Sequence, residues 1–88
     1  MPYLNKGIRV SLDDGRKALV GGELNYQISS LLNSFVAMKG LSYATINEAM
    51  GALECAKQEF YRRVAGPYES LKVAQNGEVY TCLDPKAD

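Results

Sequence analysis

The chain has no histidine, no tryptophan and only two cysteines, Cys55 and Cys82, among its 88 residues. Without histidine, the usual base that activates a serine or cysteine nucleophile is missing. Neither a phosphate-cradling glycine loop nor a nucleophile elbow is present. An enzyme is therefore not expected, and no cofactor is called for. Two distant cysteines without histidine do not make a zinc site. Glu48 and Glu54 stand six apart, so they do not share a helix face well enough for paired-carboxylate chemistry or a metal. There is also no excess of charge of one sign: ten Lys and Arg balance ten Asp and Glu. A neutral chain has no global attraction for nucleic acid or acidic lipid, so neither is expected as a partner. The opening MPYLNKGIRV lacks an apolar signal core, and no apolar run is long enough to span a bilayer. Cytoplasmic residence is the default expectation, with no membrane partner. Cys55 lies in an apolar run and reads as a small buried hydrophobe, and no disulfide to Cys82 is expected.

What is present suits a small folded protein. Hydrophobic residues make up 47% of the chain and charged residues 23%, too apolar for disorder. The length sets one domain over 1–88 with a core of about a dozen side chains. So small a core makes a homo-oligomer the expected way to gain burial. Residues 1–10 read as an extended arm anchored by Tyr3, Leu4, Ile8 and Val10, and 83–88 as a loose tail. Ser11 to Asp14 resembles a helix start, giving a short helix over 12–19. The alternative is a hairpin turning at Asp14-Gly15 between strands 8–12 and 17–20.

The apolar spacing of Leu24, Ile28, Leu31, Leu32, Phe35 and Met38 predicts a helix over 23–38. Glu23 in its first turn and Lys39-Gly40 at its end suit the helix dipole and a glycine cap, with Leu41 folding back against it. Ser42 opens a second helix to about Ala65, with a further capping box at Thr45 to Glu48. Ile46, Ala49, Met50, Leu53, Ala56, Phe60 and Val64 form its stripe. Gly51, Ala52 and Cys55 offer a strip of small residues for close packing. Pro67 starts a short third helix that Asn76-Gly77 stops, and Glu78 to Cys82 reads as extended. The fold class is all-α: an antiparallel helical hairpin, about 23–38 and 42–65, with a short third helix after Pro67 and extended termini.

Arg62 and Arg63 are the sharpest basic feature. A guanidinium is a planar fork of donors matched to phosphate or carboxylate. Glu59, three and four residues earlier, offers the plainer reading of a surface salt bridge. Tyr61 and Tyr68 flank the Gly66-Pro67 break, and Tyr26 adds a third ring able to stack or to hydrogen bond. Each tyrosine equally suits a place between core and solvent. Asn25 and Asn47 can read polar edges. These seven residues are the candidate ligand-binding set.

The segments GELNY at 22–26, SYATINEAMGALECAKQEFYRRVAGPYE at 42–69 and NGEVY at 76–80 resemble a small uncharacterised protein family of bacteria and their phages. The family brings no activity and no catalytic residue to carry over. The phage context implies an anti-defence role, in which a small protein without catalysis blocks a host factor or sequesters a host signalling nucleotide. Two functional expectations follow. One is a non-enzymatic protein that sequesters a small anionic ligand such as a nucleotide signal. The other is a protein-binding adaptor or inhibitor of a host protein that acts through its helical faces.

Overall fold

The structure, a computed structural model, describes residues 4–82. It is all-α, with helical stretches over 6–13, 21–39 and 43–76 and no strand among the described residues. The expected tail over 83–88, and Tyr3 of the expected arm, lie outside them. The chain divides between Met50 and Gly51 into two compact units.

The first unit opens with α1, Lys6–Asp13. The expected arm over 1–10 is thus helical from Lys6, and the short helix lies earlier than 12–19. Asn5 is the reason: its side chain accepts the Ile8 N–H at 2.9 Å and caps the first turn. Ser11, read as a helix start, sits inside the helix, and its hydroxyl donates to the Ile8 carbonyl at 2.9 Å. Asp14-Gly15 closes the helix with backbone bonds to Val10 and Leu12, so it turns the chain without making a hairpin.

α2, Gly21–Lys39, follows and packs against α1. A polar network around Arg16 fastens the two. Arg16 donates to both oxygens of Glu23, each at 3.1 Å, and to the Ser11 hydroxyl at 3.0 Å. The Leu19 N–H donates to Glu23 Oε1 at 2.9 Å. Gln27 donates to the Arg16 carbonyl at 3.3 Å. Glu23 is therefore more than a dipole residue: it is buried, and so is Leu12 of α1. A planar guanidinium matched to a carboxylate satisfies the buried charge that would otherwise be too costly to bury.

Gly40 ends α2 at φ 94°, donating to the Val36 carbonyl at 2.8 Å. Leu41 does not fold back on this cap but is exposed. The Ser42 hydroxyl accepts the Thr45 N–H at 3.1 Å and caps α3, Tyr43–Phe60. Lys39 closes the corner with an ion pair to Glu48 at 2.8 Å. Thr45 and Ala49, four apart on one face of α3, are buried.

In the second unit the helix does not break at Gly66-Pro67. It widens into a π turn, Tyr61–Ala65, and continues as α4, Gly66–Asn76. The separate third helix is thus a continuation. Pro67 falls in the first turn of α4, and its missing N–H is tolerated where the helix has already changed register. The Gly66 N–H donates to the Tyr61 carbonyl, the five-residue reach of a π turn. Gly77 then stops α4, as the sequence predicts, by donating to the Val73 carbonyl at 2.8 Å. Cys55 and Cys82 are free and exposed. Cys55, expected to be buried, is exposed.

Two predictions follow from this packing. Glu23 is held below the ordinary carboxylate range, first by the Arg16 hydrogen bond and then by the Leu19 N–H, with burial opposing. A lowered folded pKa contributes stability that is present above the ordinary glutamate pKa and lost as pH falls through the lowered value. Melting temperature should therefore fall on acidification through that window. Glu23→Gln should be less stable at neutral pH and should lose this component of the pH dependence. The second prediction contrasts two glycines. A Cβ at Gly51 would meet nothing within 4 Å, whereas one at Gly66 would lie 3.2 Å from the Tyr61 carbonyl oxygen. Gly51→Ala should stabilise the helix by up to about 1 kcal/mol. Gly66→Ala should show no such gain in denaturant unfolding, because the added methyl crowds a backbone atom of the π turn.

Candidate functional site

Tyr61, Arg62, Arg63 and Tyr68 all belong to the second unit, on the π turn and the first turn of α4. Glu59 holds both guanidiniums. Arg62 donates to its Oε2 at 3.4 Å, and Arg63 Nε pairs with its Oε1. Adjacent residues on a helix point apart, so one carboxylate between them accounts for both. Both arginine side chains are largely exposed and Glu59 is half-buried, so these pairs add little stability.

The wide turn also brings Tyr61 and Glu69, eight residues apart, to one side, where the phenol donates to Glu69 Oε2 at 3.1 Å. This bond, followed by the nearby negative charge, raises the Tyr61 pKa above its ordinary value. The Tyr68 ring carries the Lys72 ammonium 5.6 Å from its centroid. Glu54, Lys57, Gln58, Tyr61 and Arg62 line a cleft of about 400 Å³ on this unit. A second cleft, of about 370 Å³, lies where the chain turns back after Gly77, between Tyr68 and Lys72 of α4 and Val79 and Tyr80. There Glu78 accepts the N–H groups of Val79 and Tyr80, both at 2.8 Å, in place of the expected extended run.

Tyr26, Asn25 and Asn47 belong to the first unit. The Tyr26 hydroxyl donates to both oxygens of Asp13 at 3.0 Å, which ties α2 to the end of α1 and raises the tyrosine pKa. This is a structural role. Asn25 and Asn47 are exposed on α2 and α3. Lys57 and Gln58 were not among the candidate ligand residues, yet they line the cleft. Their signal was spacing: Lys57 stands four residues before Tyr61, and Gln58 three and four before Tyr61 and Arg62, which puts them on neighbouring turns. Among the described residues no three His, Cys, Asp or Glu side chains converge as a metal site, and no helix is long and apolar enough to cross a membrane.

The chain belongs to a family described as a domain of unknown function, DUF6899, whose profile matches residues 1–79. Comparison with curated proteins and with solved structures returns no match.

The Tyr61 contact yields a spectroscopic prediction. In an ultraviolet pH titration the tyrosine assigned by Tyr61→Phe should ionise above the ordinary tyrosine value. Glu69→Ala should bring it back down by removing the acceptor.

Proposed function

We propose that this protein is a non-enzymatic binder of a small anionic ligand, with a nucleotide as the favoured class. The observation that carries the reading is the cleft that gathers Lys57, Tyr61 and Arg62 with Glu54 and Gln58. A phosphate would take the guanidinium fork and the ammonium, while a base or sugar would lie against the tyrosine ring. Gln58 and Glu54, themselves joined at 3.3 Å, supply a donor and an acceptor for polar edges. Glu59 is the internal competitor, since the ligand must draw Arg62 and Arg63 away from it. Binding without turnover fits a chain that has no histidine and no nucleophile beside a base.

Calorimetry with a panel of cyclic and linear nucleotides tests this. Binding is expected, weakened about tenfold by Arg62→Gln, the scale of a lost charge-assisted hydrogen bond. Glu59→Gln should tighten it by releasing both arginines. No heat from any nucleotide at high micromolar concentration, with wild type and Glu59→Gln alike, would end the reading for those ligands.

A second reading rests on α2. Leu24, Leu31, Phe35 and Met38 follow one another at helical spacing and are all exposed. Such a strip suits the apolar groove of a partner protein, as an adaptor or inhibitor would use it. A partner retained by wild type and lost by Leu31→Glu in co-purification would favour this reading. The same proteins recovered with both would count against it.

A further inference from the structure

The cleft on the second unit is lined by Glu54, Lys57, Gln58, Tyr61 and Arg62, and these groups differ in what they can tell apart. Lys57 and Arg62 carry donors only and suit phosphate oxygens, which every nucleotide has. Tyr61 offers its ring, because its phenol already donates to Glu69 Oε2 at 3.1 Å. Stacking on such a ring accepts any base. Choice among bases therefore falls to Glu54 and Gln58. They stand four residues apart on one face of α3, and the Gln58 amide donates to Glu54 Oε1 at 3.3 Å. That bond is long for an N–H donor to oxygen, so a ligand can replace it. The carboxylate then presents two acceptors and no donor, beside an amide that can donate.

A carboxylate is matched by two adjacent donors. Guanine has them in its N1–H and N2 amino group, next to an O6 acceptor that suits the Gln58 amide. Adenine and cytosine pair one amino donor with a ring-nitrogen acceptor, whose lone pair would face a carboxylate oxygen. Uracil sets its one N–H between two carbonyls. Charge is also ordered along the helix. Glu54 precedes Arg62 by eight residues, about 12 Å at the helical rise. The anionic end of a ligand is drawn to Arg62 and away from Glu54, and one nucleotide can bridge that span from base edge to phosphate. We infer, resting on the nucleotide reading of this cleft, that it selects guanine nucleotides. Glu54 accepts from N1–H and the N2 amino group, Gln58 donates to O6, and Arg62 with Lys57 holds the phosphate.

Calorimetry of the full chain with GMP, IMP and AMP, which share a sugar phosphate and differ at the base edge, tests this. Wild type should bind GMP about tenfold more tightly than AMP, the scale of one good bidentate base contact. IMP keeps N1–H and O6 but lacks the N2 amino group, so its affinity should fall between the two. Glu54→Gln keeps the shape of the side chain and turns one acceptor into a donor, which is the pattern that adenine's edge matches. With helical circular dichroism unchanged, this variant should bring the preference for GMP over AMP to about one or below. Arg62→Gln should weaken GMP and AMP alike and leave the wild-type preference intact. Wild-type binding of AMP or IMP as tight as that of GMP would overturn the guanine assignment and leave the nucleotide reading standing. So would a preference that Glu54→Gln does not change. Binding of none of the three, by wild type and Glu59→Gln alike, would overturn the assignment together with the reading it rests on for these ligands.

Discussion

Leu12 and Ala49 are the only apolar side chains that the described residues bury, and the rest of the structure is arranged around that shortage. Burial of apolar surface is the main source of folding free energy, so other interactions must hold the first unit together. There the substitute is polar. Arg16 reaches Ser11 and Glu23 and offers its carbonyl to Gln27, while Tyr26 fastens Asp13. A network of this kind specifies one arrangement of α1 on α2, because a buried Glu23 displaced from Arg16 would be an unpaired charge. Among the described residues of the second unit no side chain is buried, and its polar contacts lie at the surface.

The parts of the fold legible in the sequence are those governed by local chemistry. Apolar spacing located α2 and most of α3, and the caps at Gly40, Ser42 and Gly77 fell where residue type placed them. α1 was misread because Gly7 interrupts it and its apolar residues are few, which hid Asn5 as the cap. The Gly66-Pro67 pair was misread for another reason. Proline ends an α-helix because it lacks a donor and clashes with the preceding turn. A π turn relaxes that restriction by changing the register just before the proline arrives, and no single residue announces it. The burial of Glu23 depends on a partner seven residues away across a turn, which periodicity does not report.

The candidate site was legible in part. Four of its members, Tyr61, Arg62, Arg63 and Tyr68, occupy one short region because the sequence already placed them within eight residues. The other three sit in the first unit, where Tyr26 is engaged in packing. Sequence spacing also named the competitor correctly: Glu59 takes both arginines. What spacing could not supply was the side of the helix on which each group emerges after the π turn. Tyr61 and Glu69, two turns apart across the π turn, meet there.

Two chemistries share one helix. Leu53, Phe60 and Val64 gather on one side, and Arg62 emerges from the other. A single carboxylate cannot satisfy the arginine side. Each guanidinium carries five N–H donors in a fixed fork, and Glu59 offers two oxygens to the pair. Most of those donors face water, and the local charge of two arginines and one glutamate stays positive. An anion with several acceptor oxygens matches that surplus in both charge and donor count, whereas a cation or an apolar ligand matches neither. Leu53, Phe60 and Val64 remain exposed on their side, where they offer contact surface rather than charge.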